Sequence, residues 1–425
     1  MKINRYNLLF IIMVIFNILV SQIFAETEGY NYTLSTILVI INSIAVLYSL
    51  TKIKDRNIGV LIFFSYLIKI GLLYFDLFGR NIFVLPNSGA DTEMFYHRTL
   101  KNIIFDGYTS FLHVLFVLFG NQRIIFQYCN IIFSLLAEVI VYILIDELKI
   151  KKEIKTMCML VLCFMPNHLV ISSILLRETL MILLNTISLY YFVHFLKENN
   201  TKDFIIAVLF IVFSAYFHSS VITMILPYSF YYIFYSKGEN NQFDKSSFIK
   251  LFFVAIMIIA LYAVFGDYVL KYFSGLDSVD KISEKMIGYI DAGSVYLEFL
   301  AYNKSVPIMI ITSPIKMIYF FFSPMIWDVR GISDIIAVLG SSLFYIVIIF
   351  YHIKCNNKNK LSKAIFVILM VFGFTYGMSC FAAGTAMRHR EKILAFLILL
   401  FTIDLNNNKE EDLNNEEKSI AYISE

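Results

Sequence analysis

Charge is scarce in this sequence of 425 residues: only 16% of the residues are charged, whereas 59% are hydrophobic. The mean hydropathy is +0.73. These values exclude a soluble globular protein, because so much apolar surface needs hydrocarbon rather than water around it. The net charge of +3 is small and the basic residues form short clusters between apolar runs, so nucleic acid is not an expected partner. The composition predicts a polytopic membrane protein.

Cysteine is also scarce, and glycine forms no phosphate-binding pattern. The five cysteines lie in or beside apolar runs without the spacing of metal ligands: Cys129, Cys158, Cys163, Cys355 and Cys380. Neither a disulfide framework nor a zinc site is predicted, and a divalent metal is not indicated. No glycine-rich loop on the predicted cytoplasmic side would bind a nucleotide sugar. We therefore expect no cofactor and no metal.

Apolar runs of spanning length are abundant and predict an all-α bundle of about 12 transmembrane helices. They lie at residues 7–25, 34–50, 58–78, 123–145, 156–174, 179–196, 203–217, 220–236, 250–267, 334–352, 364–383 and 386–404. The first run imitates a signal peptide, but we interpret it as a retained signal anchor. Short loops rich in Lys and Arg, such as "DELKIKKEIK" at 146, are predicted to be cytoplasmic. Both termini are then cytoplasmic.

The connections predict two larger outer loops, at about 79–122 and 267–333, and a tail at 406–425. The first loop contains "YTSFLHVLFVLFGN", which is typical of a helix lying in the membrane interface. In residues 305–331 we expect Pro307, Pro314 and Pro324 to interrupt any continuous helix, which favours a re-entrant or interfacial segment. The alternative is that one of the other predicted spans is false. The acidic tail is predicted to be a disordered cytoplasmic extension.

Charged residues at the outer ends of apolar runs are the candidate site residues. Arg177 and Glu178 lie in "ISSILLRETLMILL", where the loop is very short. They are either substrate-binding residues or a cap at a helix start, where Glu178 suits the positive end of the helix dipole. Arg388 and Arg390 are predicted at the outer start of the last helix, where two arginines suit a phosphate ligand. The alternative is that they reach toward lipid headgroups.

Two further polar residues lie within or between the predicted spans. His218, in "SAYFHSSVITM", is predicted at an outer turn, either as a helix cap or as a residue that contacts substrate. Glu138 lies midway along "NIIFSLLAEVIVYIL" and is interpreted either as a neutral, hydrogen-bonded carboxyl or as part of a proton relay. Glu138 is the feature that most favours a transporter.

The stretch "SGADTEMFYHRTL", residues 88–100, concentrates polar residues directly after an apolar run. Pro86 and Gly89 predict that Asp91 lies on a turn just above the membrane, where its carboxylate could act as general base toward a sugar hydroxyl. The alternative is that Asp91 caps a following helix, with Glu93 and His97 on its exposed face. Under the first interpretation, Glu93 and His97 are substrate-binding candidates.

These residues occur in an order that resembles a known group of proteins. A "GAD" in a first outer loop, an interfacial helix, "LLRE" opening a helix, "FHSS" two helices later and an arginine pair near the last helix resemble the integral-membrane polysaccharide polymerases of capsule, exopolysaccharide and O-antigen pathways, the Wzy-type and EpsG-like proteins. The layout is also similar to multi-spanning glycosyltransferases of the GT-C-like superfamily, which use polyprenyl-phosphate-linked sugars. Some of these enzymes have a large soluble outer domain, which is not recognisable in this sequence. The polymerases also commonly have several arginines in their larger outer loop, whereas the second predicted outer loop has a single arginine, Arg330.

The resemblance implies an enzyme of the cytoplasmic membrane that transfers sugar from a polyprenyl-(di)phosphate donor to a glycan acceptor at the outer face. It implies that Asp91 is the catalytic base, that Arg177, Arg388 and Arg390 bind lipid-linked phosphate, and that His218 contacts the acceptor. A transferase of a single sugar, a flippase of lipid-linked oligosaccharides and a non-catalytic scaffold remain as alternatives. The candidate polar residues gather at one face, whereas a transporter needs them across the whole membrane, and this favours an enzyme.

Overall fold

A computed structural model describes residues 53–103, 106–120, 122–234, 248–256, 306–329, 331–380 and 382–424, with Ile259 and scattered positions between 39 and 50. This part of the chain is helical and contains no β-strand. The predicted all-α class is confirmed. Residues 7–25 and most of the second predicted outer loop, including Arg330, lie outside the described residues.

The chain forms two compact units. The N-terminal unit comprises residues 1–142 and 155–183, and the C-terminal unit comprises residues 143–154 and 184–425. The helices, numbered in chain order, are α1 (Arg56–Phe78), α2 (Ala90–Leu100), α3 (Gly107–Phe119), α4 (Arg123–Glu147), α5 (Lys152–Phe164), α6 (Pro166–Ser173), α7 (Glu178–Glu198), α8 (Thr201–Phe217), α9 (Ile225–Phe234), α10 (Val306–Phe322), α11 (Ile332–Ala337), α12 (Leu343–Lys354), α13 (Lys360–Ser379), α14 (Ala383–Glu391) and α15 (Leu394–Ser424).

Several of these helices are long and apolar enough to cross a membrane. Within the described ranges they are α1, α4, α7, the continuous helical stretch Asp334–Lys354 and most of α13. The pair α5 and α6 makes a sixth if both belong to one span, although the pair is bent by 49°. Residues 203–217 and 220–234 form shorter helical pieces, and the runs at 34–50, 220–236 and 250–267 are only partly described. The total of about 12 spans therefore stays a prediction.

The break between α5 and α6 lies at Met165, which has extended backbone dihedral angles, and Pro166 begins α6. Proline has no N–H to continue the ladder of α5, but it is well tolerated in the first turn of a new helix. Ser65 of α1 donates a hydrogen bond of 2.8 Å to the carbonyl oxygen of Cys163 beside the break. The sequence analysis missed this break and treated residues 156–174 as one run.

The prediction that prolines interrupt residues 305–331 is wrong for two of the three. Helix α10 runs from Val306 to Phe322 with Pro314 inside it, and only Pro324 lies beyond its end. Pro307 is in the first turn, where the missing N–H has no helical partner. Pro314 is tolerated because α10 packs against α13, so tertiary contacts offset the lost hydrogen bond. Whether α10 crosses the membrane or is re-entrant stays a prediction.

A close contact between α10 and α13 depends on glycine. A Cβ atom at Gly377 would lie 2.9 Å from backbone atoms of Met317 in α10. Gly373 lies one turn earlier, and a Cβ atom there would overlap the ring of Phe321. Small residues spaced by four allow membrane helices to approach until their backbones touch. This contact supports the α13 segment that carries Tyr376, a residue of the site described below.

The last predicted run, residues 386–404, is not one helix. Helix α14 ends at Glu391, and α15 begins at Leu394 and continues to Ser424. The tail at 406–425, predicted to be disordered, is therefore helical up to Ser424. A helix that is already nucleated by packing extends cheaply through residues such as Glu and Lys, which have good helix propensity.

Polar contacts of the first tail residues explain why the chain stays ordered after the apolar run. Asn406 accepts a hydrogen bond from the backbone N–H of Lys151, and Asn407 donates to the carbonyl oxygen of Asn357. Asn408 donates to the hydroxyl of Tyr351 at 2.8 Å. The three asparagines thus attach α15 to two connecting segments and to α12 of the C-terminal unit.

Candidate functional site

The helix that carries Asp91 begins earlier than predicted. Helix α2 starts at Ala90, and the cap is formed by Gly89 together with Thr92, whose hydroxyl exchanges hydrogen bonds with the Gly89 backbone at 2.9 and 3.2 Å. Asp91 is therefore neither on an irregular turn nor the capping residue. It lies in the first turn of α2, where a carboxylate suits the helix dipole, and its side chain is half-buried.

Glu93, two residues further along the same helix, is held by two arginines. Arg80 Nη1 donates to Glu93 Oε1, and Arg123 contacts both carboxylate oxygens of Glu93 at 2.8 and 2.9 Å. Arg123 also lies over the ring of Tyr96, 5.3 Å from its centroid. The prediction that Glu93 lies on the exposed face is wrong, because these cations draw it against α4 and the segment after α1. His97 is exposed, and its Nε2 lies 3.9 Å from Glu93 Oε2.

Asp76 completes this network at the end of α1. Its side chain is fully buried and accepts hydrogen bonds from Arg80 at 3.2 Å, from Gln127 at 2.6 Å and from Ser88. Ser88 in turn accepts from Arg80 at 2.9 Å. The segment between α1 and α2 is therefore tied at both ends to one charge-balanced cluster, which positions the start of α2.

The network makes Glu93 a weak base. Burial opposes its ionisation, but the hydrogen bonds and charges of Arg123 and Arg80 outweigh burial and lower the pKa of Glu93 to about 2. The same contacts raise the pKa of Arg80 despite the opposing effect of burial, so both partners stay charged at neutral pH. A carboxylate with so low a pKa does not accept a proton from a sugar hydroxyl effectively.

Arg177 lies directly before α7, and its described contacts are with α2 and α3. Its Nη1 atom is 3.3 Å from Asp106 Oδ2, and its guanidinium lies 5.8 Å from the ring centroid of Phe95. Asp106 is the N-cap of α3 and accepts a hydrogen bond from the Thr109 N–H at 2.8 Å. Arg177 therefore bridges to the helix predicted to be interfacial. Glu178 is buried in the first turn of α7, as the cap interpretation expects.

Glu138 is not an isolated carboxylate. It forms a buried ion pair with Lys69 of α1, and His168 Nε2 of α6 lies 3.5 Å from the same oxygen. Lys69 also donates to Ser134 at 2.7 Å, and Ser134 bonds His168 at 3.0 Å. Lys69, on the facing helix, is placed to balance the charge of an ionised Glu138.

Arg388 and Arg390 are not at the start of the last helix. They lie in the last turn of α14, where the helix dipole favours cations rather than opposing them. Arg390 is fully buried, and its five N–H groups bond protein oxygens: the carbonyls of Phe321 and Ser323 at 2.8 and 2.7 Å, and the hydroxyls of Ser341 and Ser342 at 2.8 to 3.2 Å. These contacts favour a structural role for Arg390 rather than the predicted phosphate ligand. Arg388 is half-buried.

His218 lies beside the α14 segment. His218 ends α8, and its Nδ1 atom lies 3.1 Å from the hydroxyl of Tyr376 in α13. The ring centroids of His218 and His389 are 4.9 Å apart. Lys392 donates to His389 Nδ1 at 2.8 Å and lies 5.2 Å from the ring centroid of Tyr376. We call these four residues the imidazole cluster.

The candidate residues thus fall into two groups. Asp91, Glu93, His97, Arg177 and Glu178 belong to the N-terminal unit, and His218, Arg388 and Arg390 belong to the C-terminal unit. Lys69 and Asp76 were missed, although the rule that drew attention to Glu138, a charge inside an apolar run, applies equally to "YLIKIGLLYFDLF". Tyr376 carried no such signal, because tyrosine is common in this chain. Within the described ranges, no group of His, Cys, Asp or Glu is placed to hold a metal ion.

Comparison with known families supports the broader class. Residues 108–265, less than half of the chain, match the family described as dolichyl-phosphate-mannose-protein mannosyltransferase. No curated protein and no solved structure matches the chain. The family match and the apolar helices support a membrane glycosyltransferase of the GT-C type. The matched segment includes Arg177 and His218.

Proposed function

We propose that the protein is a polysaccharide polymerase of the cytoplasmic membrane, which joins sugar units at the outer face during synthesis of a capsule, exopolysaccharide or O-antigen. The donor is a sugar linked to polyprenyl phosphate or diphosphate, and the acceptor is a glycan. The family match supports glycosyl transfer from a lipid-linked donor, and the resemblance in the order of polar motifs supports the polymerase. In this proposal both termini are cytoplasmic.

Helix α2 has two carboxylates, Asp91 and Glu93, that could act as the general base, and the low pKa of Glu93 is the observation that favours Asp91. Glu93 is engaged by Arg80 and Arg123, and its pKa of about 2 makes it ineffective as a proton acceptor. Asp91 lies two residues before Glu93 in the same turn of the helix and is half-buried. We assign Asp91 as the general base and the Glu93 network as the structure that fixes the helix carrying it.

The proposed reaction is a displacement at the anomeric carbon of the donor sugar. The acceptor hydroxyl oxygen forms a bond to this carbon while the bond from the carbon to the phosphate oxygen breaks. The electron pair of the broken bond goes to the phosphate, and the hydroxyl proton goes to Asp91. Cationic residues stabilise the charge that develops on the departing phosphate. Arg177, which is half-buried and lies in the same unit as Asp91, is the arginine to which we assign this role.

A transporter of lipid-linked oligosaccharide is the second candidate, and one observation favours it. Lys69 and Glu138 lie near the middle of apolar helices, and His168 lies in the first turn of α6, directly after the break between α5 and α6. Broken helices often line transport sites. However, Lys69 and Glu138 neutralise each other and are buried among helices, with side chains only 1% exposed. A transport path requires polar side chains in contact with water, so we place the transporter second. A transferase of a single sugar is the third candidate.

The decisive experiment incubates the purified protein in nanodiscs with polyprenyl-linked glycans extracted from the native host. We expect longer lipid-linked glycans, and we expect Asp91→Asn to lower their rate of formation by about 100-fold or more. Asp203→Asn is the matched control, because Asp203 is also a half-buried carboxylate in the first turn of a helix. Addition of only one sugar would identify the single-sugar transferase. Movement of the glycan across a liposome membrane without any new bond would identify the transporter.

A further inference from the structure

Helix α4 has a row of buried polar side chains along one face. Five residues follow one another at spacings of four, three, four and four, which places them on the same face of an α-helix: Arg123, Gln127, Asn130, Ser134 and Glu138. Each is at most 8% exposed, although α4 is apolar and long enough to cross a membrane. We call these five residues the polar seam.

The residues of α1 that contact the polar seam also share one helix face. Asp76 accepts a hydrogen bond of 2.6 Å from Gln127. Lys69, two helical turns earlier, donates to Ser134 at 2.7 Å and forms the buried ion pair with Glu138. The contacts therefore continue along both helices, from the network at Asp76 to the middle of the apolar segment.

The polar seam approaches the protein surface at one end and stops inside the protein at the other. Arg80 and Glu93, in the network at the first end, have side chains that are 28% and 33% exposed. Beyond Glu138, the next positions on the same face of α4 are Val141 and Ile145, which are apolar and buried. The seam is therefore polar toward the surface at Arg80 and apolar beyond Glu138.

Some buried polar atoms of the seam have no hydrogen-bond partner among the described residues. They are Nε of Arg123, Oε1 of Gln127 and Oε2 of Glu138. Lys69 has three N–H groups, and its described hydrogen bonds use two of them. A buried donor or acceptor that stays unsatisfied costs its full desolvation energy, so bound water satisfies such groups where the protein does not.

These unsatisfied atoms occur as pairs of a donor and an acceptor. Arg123 and Gln127 are neighbours one turn apart, so a water molecule can accept from Arg123 Nε and donate to Gln127 Oε1. At the inner end, a water molecule can accept the third N–H of Lys69 and donate to Glu138 Oε2. The two remaining seam residues lie between these positions and make the face polar throughout.

We propose that the polar seam binds a chain of water molecules that connects the Lys69–Glu138 pair with the protein surface at Arg80 and Glu93. The chain gives the buried ion pair a route for proton exchange, in which each O–H or N–H bond that breaks is matched by one that forms. This inference does not depend on the proposed glycosyl transfer. Single water molecules are far smaller than an oligosaccharide, so the chain is not a route for transport of a glycan.

The test detects water beside the buried pair, using the full chain in nanodiscs. X-ray irradiation within milliseconds of mixing into H₂¹⁸O converts bound water into hydroxyl radicals, which add ¹⁸O to adjacent side chains, and mass spectrometry locates the label. Cys163 is the reporter, because its thiol lies close enough to Glu138 and Lys69 to interact with them electrostatically. Cys158 is the internal control, since it is equally buried in α5 but lies five residues earlier, on another helix face. We expect Cys163 to gain ¹⁸O about fivefold faster than Cys158.

Variants of the polar seam test its connection to the surface. Gln127→Leu and Ser134→Ala interrupt the chain, and each should lower the label at Cys163 about fivefold. Ser134→Thr keeps the hydroxyl and should retain the label. Ile132→Leu, at a buried apolar residue on another face of α4, is the matched control. Loss of structure would instead raise the label at Cys163, because unfolding exposes the thiol to water.

Two results would overturn the inference. Equal labelling of Cys163 and Cys158 in the wild type would show that no water lies beside the ion pair. Unchanged labelling of Cys163 in Gln127→Leu would show that water does not arrive along the polar seam. The readout requires no glycosyl transfer, so an inactive wild type with a labelled Cys163 would refute only the proposed function.

Discussion

The two units bury cations in different surroundings. In the N-terminal unit, the described contacts of Lys69, Arg80 and Arg123 include carboxylates that balance their charge. In the C-terminal unit, the described contacts of Arg390 are carbonyl and hydroxyl oxygens, and those of Lys392 include an imidazole and an aromatic ring. The described contacts of the two units therefore differ in kind: ion pairs in the first, and hydrogen bonds to neutral groups in the second.

The sequence alone did not show which arginines beside apolar runs have carboxylate partners. Arg80 and Arg388 each follow or precede an apolar run, and neither residue type nor position tells them apart. Their surroundings in the structure differ: Arg80 forms ion pairs with Asp76 and Glu93, whereas Arg388 lies in a helix turn that contains other basic residues. An arginine near a membrane surface is therefore informative about substrate only after its neighbours are known.

The largest expected effect is at the buried pair of the N-terminal unit. Lys69→Met leaves the carboxylate of Glu138 buried without its cationic partner and should lower the free energy of unfolding by about 3–5 kcal/mol. Thermal unfolding in detergent measures this, with Lys202→Met, at an exposed lysine, as the control. The double variant Lys69→Met/Glu138→Leu should recover much of the loss, because no charge is left buried. A double variant as unstable as the single one would show that the balance of charge is not what matters.

A smaller loss is expected where the buried cation has neutral partners. Arg390→Met leaves the carbonyl and hydroxyl oxygens that Arg390 contacts unsatisfied, so we expect a loss of about 2–3 kcal/mol. Arg56→Met, at an exposed arginine, should change stability by less than about 0.5 kcal/mol. If Arg390→Met proved more costly than Lys69→Met under the same conditions, the ranking of charged above neutral partners would be wrong.

A still smaller effect should appear on acidification, through Glu93. Its pKa in the folded protein, about 2, is below the ordinary value of 4.5, so the ionised form stabilises the fold above pH 4.5. This stabilisation is lost as the pH falls from 4.5 toward 2. Because Glu93 is partly exposed, solvent screening reduces the effect to about 1 kcal/mol.

Unfolding midpoints across this pH range in wild type and Glu93→Gln measure this contribution of Glu93. The variant should be less stable than the wild type at neutral pH, and the difference should shrink as the pH approaches 2. A constant difference at every pH would contradict the assignment of the titration to Glu93.

The smallest effect is expected for neutral hydrogen bonds at the surface. Asn407→Ala removes contacts with Asn357 and Asn359 and should cost about 0.5–1 kcal/mol. Proteolysis of the tail should also become faster, because α15 is less firmly attached to the connecting segment. Asn57→Ala, at an exposed asparagine in the first turn of α1, is the control. Unchanged proteolysis would mean that the asparagines do not hold the tail.

Part of the candidate site was predictable because individual polar residues stand out beside apolar runs in the sequence. A carboxylate directly after an apolar run drew attention to Asp91, and a histidine between two runs drew attention to His218. Partners were not predictable in the same way, since Glu138 meets Lys69 across 69 positions of sequence and His218 meets Tyr376 across 158. Pairings at such separations depend on how helices pack.

The sequence by itself determined the helical membrane class and the positions of the main helices. Lipid offers no partner for backbone N–H and C=O groups, so a long apolar run must form its hydrogen bonds internally as a helix. Only the tertiary structure decided that Pro314 is accommodated within α10, that Pro166 starts a new helix, and that Arg390 supports the fold. The physical reason is that the cost of a proline or a buried charge depends on which neighbours supply the missing hydrogen bond or opposite charge.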